Sequence, residues 1–254
     1  MIKKSSIKQS IYHTAQLYDD IHWWKKDDMD FWSNLFFERK CKSVLELACG
    51  TGRLAPIFLR QGAEYTGLEV NYDFIKAAKK KLFQYQNVNI IKGDMRFFNL
   101  NKTFDFIFIG FNSFLHLLTD TDMNNFLQCV KKHMHKNTCF LIDIYIPNSL
   151  FLYKPEGHRF PVLEFTDTIK NKYVFVEESN IYDTKTDINK MTWYFSTKEE
   201  ADFDIREFFV RMYFPSYMNQ ILIDNGFYIH NQWGDYYRSP LNEASKLQIY
   251  DIGL

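Results

Sequence analysis

The stretch Val44-Leu45-Glu46-Leu47-Ala48-Cys49-Gly50-Thr51-Gly52-Arg53-Leu54 decides how the rest of the chain is read. Ser43–Leu47 is a short apolar run of the kind that forms a buried parallel strand. A tight turn follows, because glycines at 50 and 52 allow backbone dihedrals and close approaches that a side chain blocks. Arg53–Gln61 then reads as a helix with Gly62 as its cap. A strand, a glycine turn and a helix in that order suit a nucleotide-like ligand at the backbone. The spacing is not Gly-x-Gly-x-x-Gly, since Ala48 stands at the first glycine. It is not a phosphate loop either, since no Gly-Lys-Ser/Thr follows.

Outward from this turn the chain alternates. Tyr65–Val70, Val88–Ile91, Phe104–Ile109 and Cys139–Ile146 read as strands. Tyr72–Phe83 and Met123–His135 read as helices between them. The alternation predicts an α/β fold built on a doubly wound sheet. Ligands in such sheets bind beyond the carboxyl ends of the strands, which places Glu46–Gly52, Glu69, Asp94 and Gly110–His116 on one rim. Beyond Pro147 the rhythm changes. Tyr173–Glu178, Lys190–Ser196 and Ile205–Tyr213 alternate with polar turns such as Asp183–Asp187, which predicts a small antiparallel lobe. Pro215–Asp224 returns to helix, and Phe227–Gly234 and Lys246–Ile252 supply two closing strands. The expected organisation is a helical cap over 1–40, an α/β core over 41–149 and 215–254, and an inserted antiparallel lobe over 150–214.

Bulk composition narrows the partners. Lys plus Arg and Asp plus Glu are 31 each, giving a net charge of zero. No duplex nucleic-acid partner is expected from that balance. The aromatic share is 18%; Phe, Tyr, Ile, Lys and Asn rise together in AT-rich coding. Cys41, Cys49, Cys129 and Cys139 form no Cys-x-x-Cys pair and no zinc spacing, so reduced thiols and no metal are expected. The basic start Met1–Ser6 is followed by no apolar signal core, and no run is long enough to span a membrane. Both points predict a cytoplasmic protein. The oligomeric state cannot be read.

The candidate site residues follow from the rim. Glu69 ends the second strand, where a carboxylate can accept both hydroxyls of a ribose; dinucleotide enzymes use the same device. Asp94, in Gly93-Asp94-Met95-Arg96, could accept an adenine amino group. His116 could act as a base, since an imidazole titrates near neutral pH. His133 and His135 read as surface residues. Trp23-Trp24 and Phe31-Trp32 read as packing anchors.

Taken together, Leu45–Gly52, Glu69 in Gly-Leu-Glu-Val, Gly93–Arg96 and Phe104–Ile109 resemble class I S-adenosylmethionine (SAM)-dependent methyltransferases over about 44–148. The departure is Ala48 where the stricter pattern has glycine. The resemblance implies a seven-stranded Rossmann-like sheet and SAM as cofactor, with S-adenosylhomocysteine as product. It implies Glu46, Ala48 and Gly50 beside the methionine part, Glu69 at the ribose, and Asp94 and Met95 framing the adenine, with Val70 and Gly110 also at the cofactor. Gly110–Leu117 is similar to a stretch in glycine, sarcosine and sugar N-methyltransferases. Arg211–Pro215, Leu222–Phe227 and Trp233–Tyr236 look like the tail of small-molecule methyltransferases with an inserted lid over the acceptor. In such proteins an N-terminal tyrosine often touches SAM, which points to Tyr18, with Tyr12 the other candidate. Tyr18 and His116 are the catalytic candidates. Asn112, His116, Arg211 and Tyr236 are the substrate-binding candidates. No Asn-Pro-Pro-Tyr follows the fourth strand, which argues against the N-methyltransferases that use it. The expected reaction is methyl transfer to a small-molecule nitrogen. Protein or tRNA methylation, or a non-catalytic SAM-binding protein, is the alternative.

Overall fold

The computed structural model describes residues 10–254, and the basic segment Met1–Ser6 lies outside them. Helices α1 (Ala15–Ile21) and α2 (Met29–Glu38) come first. Then follow β1 (Ser43–Leu47), α3 (Ala55–Leu59), β2 (Glu64–Glu69), α4 (Tyr72–Lys81), β3 (Val88–Lys92), β4 (Phe106–Ile109), α5 (Asp120–Lys132) and β5 (Cys139–Tyr145). Helix α6 (Ser149–Leu152) leads to β6 (Phe160–Asp167), β7 (Lys172–Asp183), β8 (Ile188–Ser196) and β9 (Asp204–Arg211). The chain closes with α7 (Pro215–Asp224), β10 (Tyr228–Trp233) and β11 (Leu247–Gly253).

These elements divide into two compact units. One spans Lys26–Pro147 and Met212–Leu254 and carries a seven-stranded sheet in the order β10-β11-β5-β4-β1-β2-β3. Strands β1 to β5 are parallel to one another, while β11 runs antiparallel to both β5 and β10. Progression runs outward from β1 to β3, then jumps to β4 on the other side of β1. The switch point is therefore between β1 and β4, at their carboxyl ends. Both faces of the central strands are covered, which explains their continuous apolar sequences. One face packs Trp32, Phe36, Phe58, Phe106 and Phe108 ring against ring. The other packs Phe114, Phe126, Phe140 and Phe227. Many of the chain's aromatic rings thus fill the core.

The other unit contains the residues up to Lys25 and Asn148–Arg211. Its four strands are antiparallel in the order β6-β7-β8-β9. Helix α1 buries Ile21 against Phe165, Val174, Val176, Trp193 and Phe195. Asp20 accepts the backbone N–H of Thr168 (2.9 Å) and its hydroxyl. The helical cap expected over 1–40 is therefore divided. Helix α1 belongs with the antiparallel sheet, while α2 buries Phe31, Trp32, Leu35 and Phe36 in the α/β core.

Two local expectations are corrected. His133 is buried, not on the surface. Its Nε2 accepts the Leu100 N–H (2.8 Å), and its Nδ1 lies 2.6 Å from the Cys129 carbonyl, which absorbs both ring nitrogens. Trp23 and Trp24 are 61% and 47% exposed and are not buried anchors, because they fall in the turn between α1 and α2.

Candidate functional site

The site is built on the loop leaving β1. Ala48, Gly50 and Gly52 all take left-handed dihedrals, with φ of 56°, 58° and 75°. Glycine holds that conformation without strain, whereas alanine does not. Gly52 is required for a second reason. A Cβ there would lie 3.1 Å from the Leu82 side chain and 3.3 Å from Ala78, so the turn could not sit on α4. Gly67 in β2 does the same for Cys49, whose Sγ would be 2.6 Å from an added Cβ.

Glu69, at the end of β2, ties this loop to the neighbouring strand. Its Oε2 accepts the Gly50 N–H (2.9 Å) and its Oε1 accepts the Asn71 N–H (2.8 Å). The Val70 backbone N–H also bonds this carboxylate, whose roughly four acceptor directions then leave one for a ligand hydroxyl. Burial raises its pKa, against the backbone hydrogen bonds that lower it. Beside it Val70 is 61% exposed, and Phe97, past β3, is 62% exposed. Asp94 accepts the Arg96 backbone N–H (2.9 Å) and an ion pair from its guanidinium (2.6 Å), which in turn reaches Asp122 (3.0 Å). That hydrogen-bonded pair holds the Asp94 carboxyl below its usual range. Met95 follows, half-buried.

Glu46 behaves differently from a solvent-facing carboxylate. It is enclosed, and the Tyr65 hydroxyl donates to its Oε2. Burial pushes its pKa up to about 8, and the nearby Asp28 and Glu69 act in the same direction.

On the other side of the switch point, Phe111 and Asn112 are successive left-handed residues, at φ of 51° and 65°. Two strained non-glycine positions in a row persist only where the surroundings hold them. Asp143 in β5 does so. Its Oδ2 accepts the Phe111 N–H (3.0 Å), its backbone carbonyl accepts the Asn112 N–H (3.1 Å), and the Asn112 side chain accepts the Tyr145 N–H (2.8 Å). The same Oδ2 accepts the Tyr236 hydroxyl (2.9 Å). Burial and the adjoining Asp143 charge raise the Tyr236 pKa, so its phenol stays protonated. Gly110 is explained by packing, since a Cβ there would come within 3.3 Å of Trp32. His116 ends the 3-10 turn Ser113–His116, half-buried. Tyr18 and Arg211 belong to the other unit. Tyr18 in α1 packs its ring, tilted, against His22 just past the helix (4.3 Å between centroids), and Arg211 is buried at the end of β9 opposite Ile188.

Residues 44–137 match the family model of a methyltransferase domain. The matched stretch runs from β1 to just past α5. The chain is 26% identical over 104 residues to dTDP-3-amino-3,4,6-trideoxy-α-D-glucopyranose N,N-dimethyltransferase of Streptomyces venezuelae, covering 41% of the chain and 43% of that relative. The match therefore spans less than half the length of that curated relative. A SAM-dependent methyltransferase from Clostridium acetobutylicum shares the fold at a TM-score of 0.78 and 18% identity, over 94% of this chain and 97% of that one. The sugar N-methyltransferase KedS8 from Streptoalloteichus does so at 0.65 and 15%, over 99% and 96%.

The residues of this rim fit SAM. Glu69 has acceptor capacity beyond its backbone bonds, Val70 and Phe97 offer exposed apolar surface beside it, and the turn brings backbone within reach of a ligand.

Three residues of the site escaped sequence reasoning. Asp143 was readable as an anomaly, an acid inside the apolar strand Phe140–Ile144 that must be hydrogen-bonded to be buried. Asp28 and Arg53 form a bidentate pair (2.7 Å on each arm), with Arg53 also 5.7 Å from the Phe111 ring centre. Asp28 is fully buried, and nothing in its local sequence marks it.

Proposed function

We propose that the chain transfers the methyl group of SAM to a nitrogen atom of a small-molecule acceptor. SAM, when bound, supplies a methyl group already activated by the sulfonium charge, so the protein has to align the acceptor and exclude water. That division of labour is consistent with a rim that holds ordered hydrogen-bonding groups instead of a nucleophile.

The observation that carries the reading is the Asp143–Tyr236 pair beside the strained Phe111-Asn112 turn. With its proton directed at Asp143, the Tyr236 oxygen can accept a hydrogen bond from an amine N–H. Such a bond orients the amine lone pair, which is the function an N-directed enzyme needs. In this reading Glu46, Ala48, Gly50, Glu69, Val70, Asp94 and Met95 hold SAM. Asn112 and Tyr236 meet the acceptor, with His116 as the base that removes the amine proton. Tyr18 and Arg211 are the remaining candidates for cofactor and acceptor contact. The choice of nitrogen and of a small molecule draws on two similar proteins, one named as an amino-sugar N,N-dimethyltransferase and the other as a sugar N-methyltransferase.

The test is a transfer assay with methyl-labelled SAM. The acceptors are dTDP-3-amino-3,4,6-trideoxyglucose, free amino sugars, glycine, sarcosine, bulk tRNA and a peptide mixture. Label on the amino group of a small molecule is expected, with kcat falling at least tenfold in Tyr236→Phe while SAM affinity holds. Label confined to tRNA or protein, or found only on oxygen, overturns the reading.

A further inference from the structure

The turn that leaves β3 is fastened inside and outside by a single residue. Gly93 opens the turn with its N–H on the Glu69 carbonyl (2.9 Å), and the Phe97 N–H closes it on the Asp94 carbonyl (2.9 Å). Within it the Asp94 carboxylate accepts the Arg96 backbone N–H (2.9 Å), the Nε–H on both oxygens (3.0 and 3.1 Å) and an Nη2–H (2.6 Å). Arg96 also reaches outward to α5. Its Nη1 donates to Asp122 in the first turn of that helix (3.0 Å), and its carbonyl accepts the Cys129 Sγ–H (3.4 Å). Positions 122 and 129 are about two helical turns apart, so they lie on one face of α5.

A half-exposed ion pair by itself contributes little. The sharing of one guanidinium between Asp94 and Asp122 sets this one apart. Without Arg96 the two carboxylates would be neighbouring like charges with no cation between them, and such charges repel. Lysine is a poor substitute, because a compact point charge does not meet two carboxylates in a planar fork. The consequence for Asp94 follows from its acceptor directions, of which a carboxylate has roughly four. The backbone N–H, Nε–H and Nη2–H of Arg96 occupy three of them. One acceptor is left, on a side chain that is 33% exposed and held in one orientation.

The surroundings indicate what that acceptor meets. With the ribose of SAM at Glu69, the base falls beside the turn, since the turn begins on the Glu69 carbonyl. Val70 and Phe97, 61% and 62% exposed, flank it with apolar surface on which a planar base can pack. A carboxylate acceptor needs a donor, and the exocyclic amino group of adenine is one. We infer that Arg96 is the positioning residue for base recognition: it occupies three acceptor directions of Asp94, fixes the remaining one by tying the turn to α5, and so sets the preference of the site for a purine that carries an amino group. The inference rests on the placement of SAM proposed above.

The test compares two ligands on each protein. S-adenosylhomocysteine and its 6-desamino analogue, with hydrogen in place of the purine amino group, are titrated calorimetrically into the wild type, Arg96→Gln and Arg96→Lys. The wild type is expected to bind S-adenosylhomocysteine about tenfold or more tightly than the analogue, the size of one hydrogen bond to a charged acceptor. Both variants are expected to lose that preference, binding S-adenosylhomocysteine more weakly while the affinity for the analogue holds. A merely structural role would weaken both ligands alike, and the ratio cancels a general loss of stability. Arg96→Lys, which keeps the charge, carries the comparison if Arg96→Gln does not fold. A preference that is unchanged or raised in either variant overturns the inference. So does a wild type that binds the two ligands equally, an outcome that leaves the placement of SAM standing. A wild type that binds neither removes that placement and this inference with it.

Discussion

At the scale of single residues, Ala48 and Glu46 carry the strain and the charge of the site. Ala48 holds φ at 56° where glycine would be relaxed. A left-handed alanine costs about 1–2 kcal/mol, and glycine gives back part of that by its freedom in the unfolded chain. Ala48→Gly is therefore expected to stabilise by up to about 1 kcal/mol, seen as a rise of roughly 2–4 °C in melting temperature. A fall in melting temperature would show that the methyl group packs usefully.

Glu46 gives a pH-dependent expectation. Its folded pKa is about 8, above the ordinary value of 4.5. A group raised on folding contributes stability that is fully present below 4.5 and is lost as pH rises toward about 8. Without SAM, the neutral Glu46→Gln should therefore gain on the wild type as pH rises through that window. The gain has an upper slope of about 1.4 kcal/mol per pH unit, levelling off beyond it. Denaturant melts across the range measure this, and a pH-independent difference would mean Glu46 stays ionised when buried.

The element scale is where the sequence was most informative. The strand, turn and helix around Gly50 were readable because apolar runs, glycines and acids at strand ends each have one physical cause. Ser43–Leu47 and Pro215–Asp224 coincide with β1 and α7. Helix α3 is shorter than the expected Arg53–Gln61, since Arg53 is drawn into its pair with Asp28 and the helix starts only at Ala55. Long-range partners were not readable. Nothing near His133 announces that Leu100 and Cys129 take up its ring nitrogens at the end of α5. Burial lowers its pKa from the ordinary 6.5. The neutral ring is thus a stabilising contact above pH 6.5 that is lost as pH falls below it. His133→Gln should be clearly less stable than the wild type at pH 8, with the gap closing toward pH 5. A constant gap would mean that the ring takes up its proton equally readily in the folded and unfolded chain, so that its titration contributes nothing to stability.

For the molecule as a whole, the sheet order explains why residues far apart in sequence meet at one rim. Reversal between β1 and β4 brings Glu46, Glu69 and Asp143 to the carboxyl ends of neighbouring strands. The glycine turn and the strand-end acid Glu69 were legible in the sequence, and Asn112 and Tyr236 were among its candidates. The Asp143–Tyr236 hydrogen bond was not legible, because the two meet only through the pairing of β5 with β11 and the tail that precedes it. The antiparallel unit was foreseen as strands, but its buried Glu178, Asn180 and Asn189 were not, since alternation predicts apolar residues on the inward face.

The central claim is that the turn at Ala48–Gly52 and the carboxylate of Glu69 together hold SAM. Isothermal titration calorimetry of the wild type and Glu69→Ala, with SAM, S-adenosylhomocysteine and NAD, tests it most directly. One-site binding of SAM and S-adenosylhomocysteine is expected, with none of NAD. Affinity should fall at least tenfold in Glu69→Ala, in line with the loss of charge-assisted hydrogen bonds of about 1.5–3 kcal/mol each. Failure of both SAM and its product to bind, or equal binding by Glu69→Ala, would contradict the account.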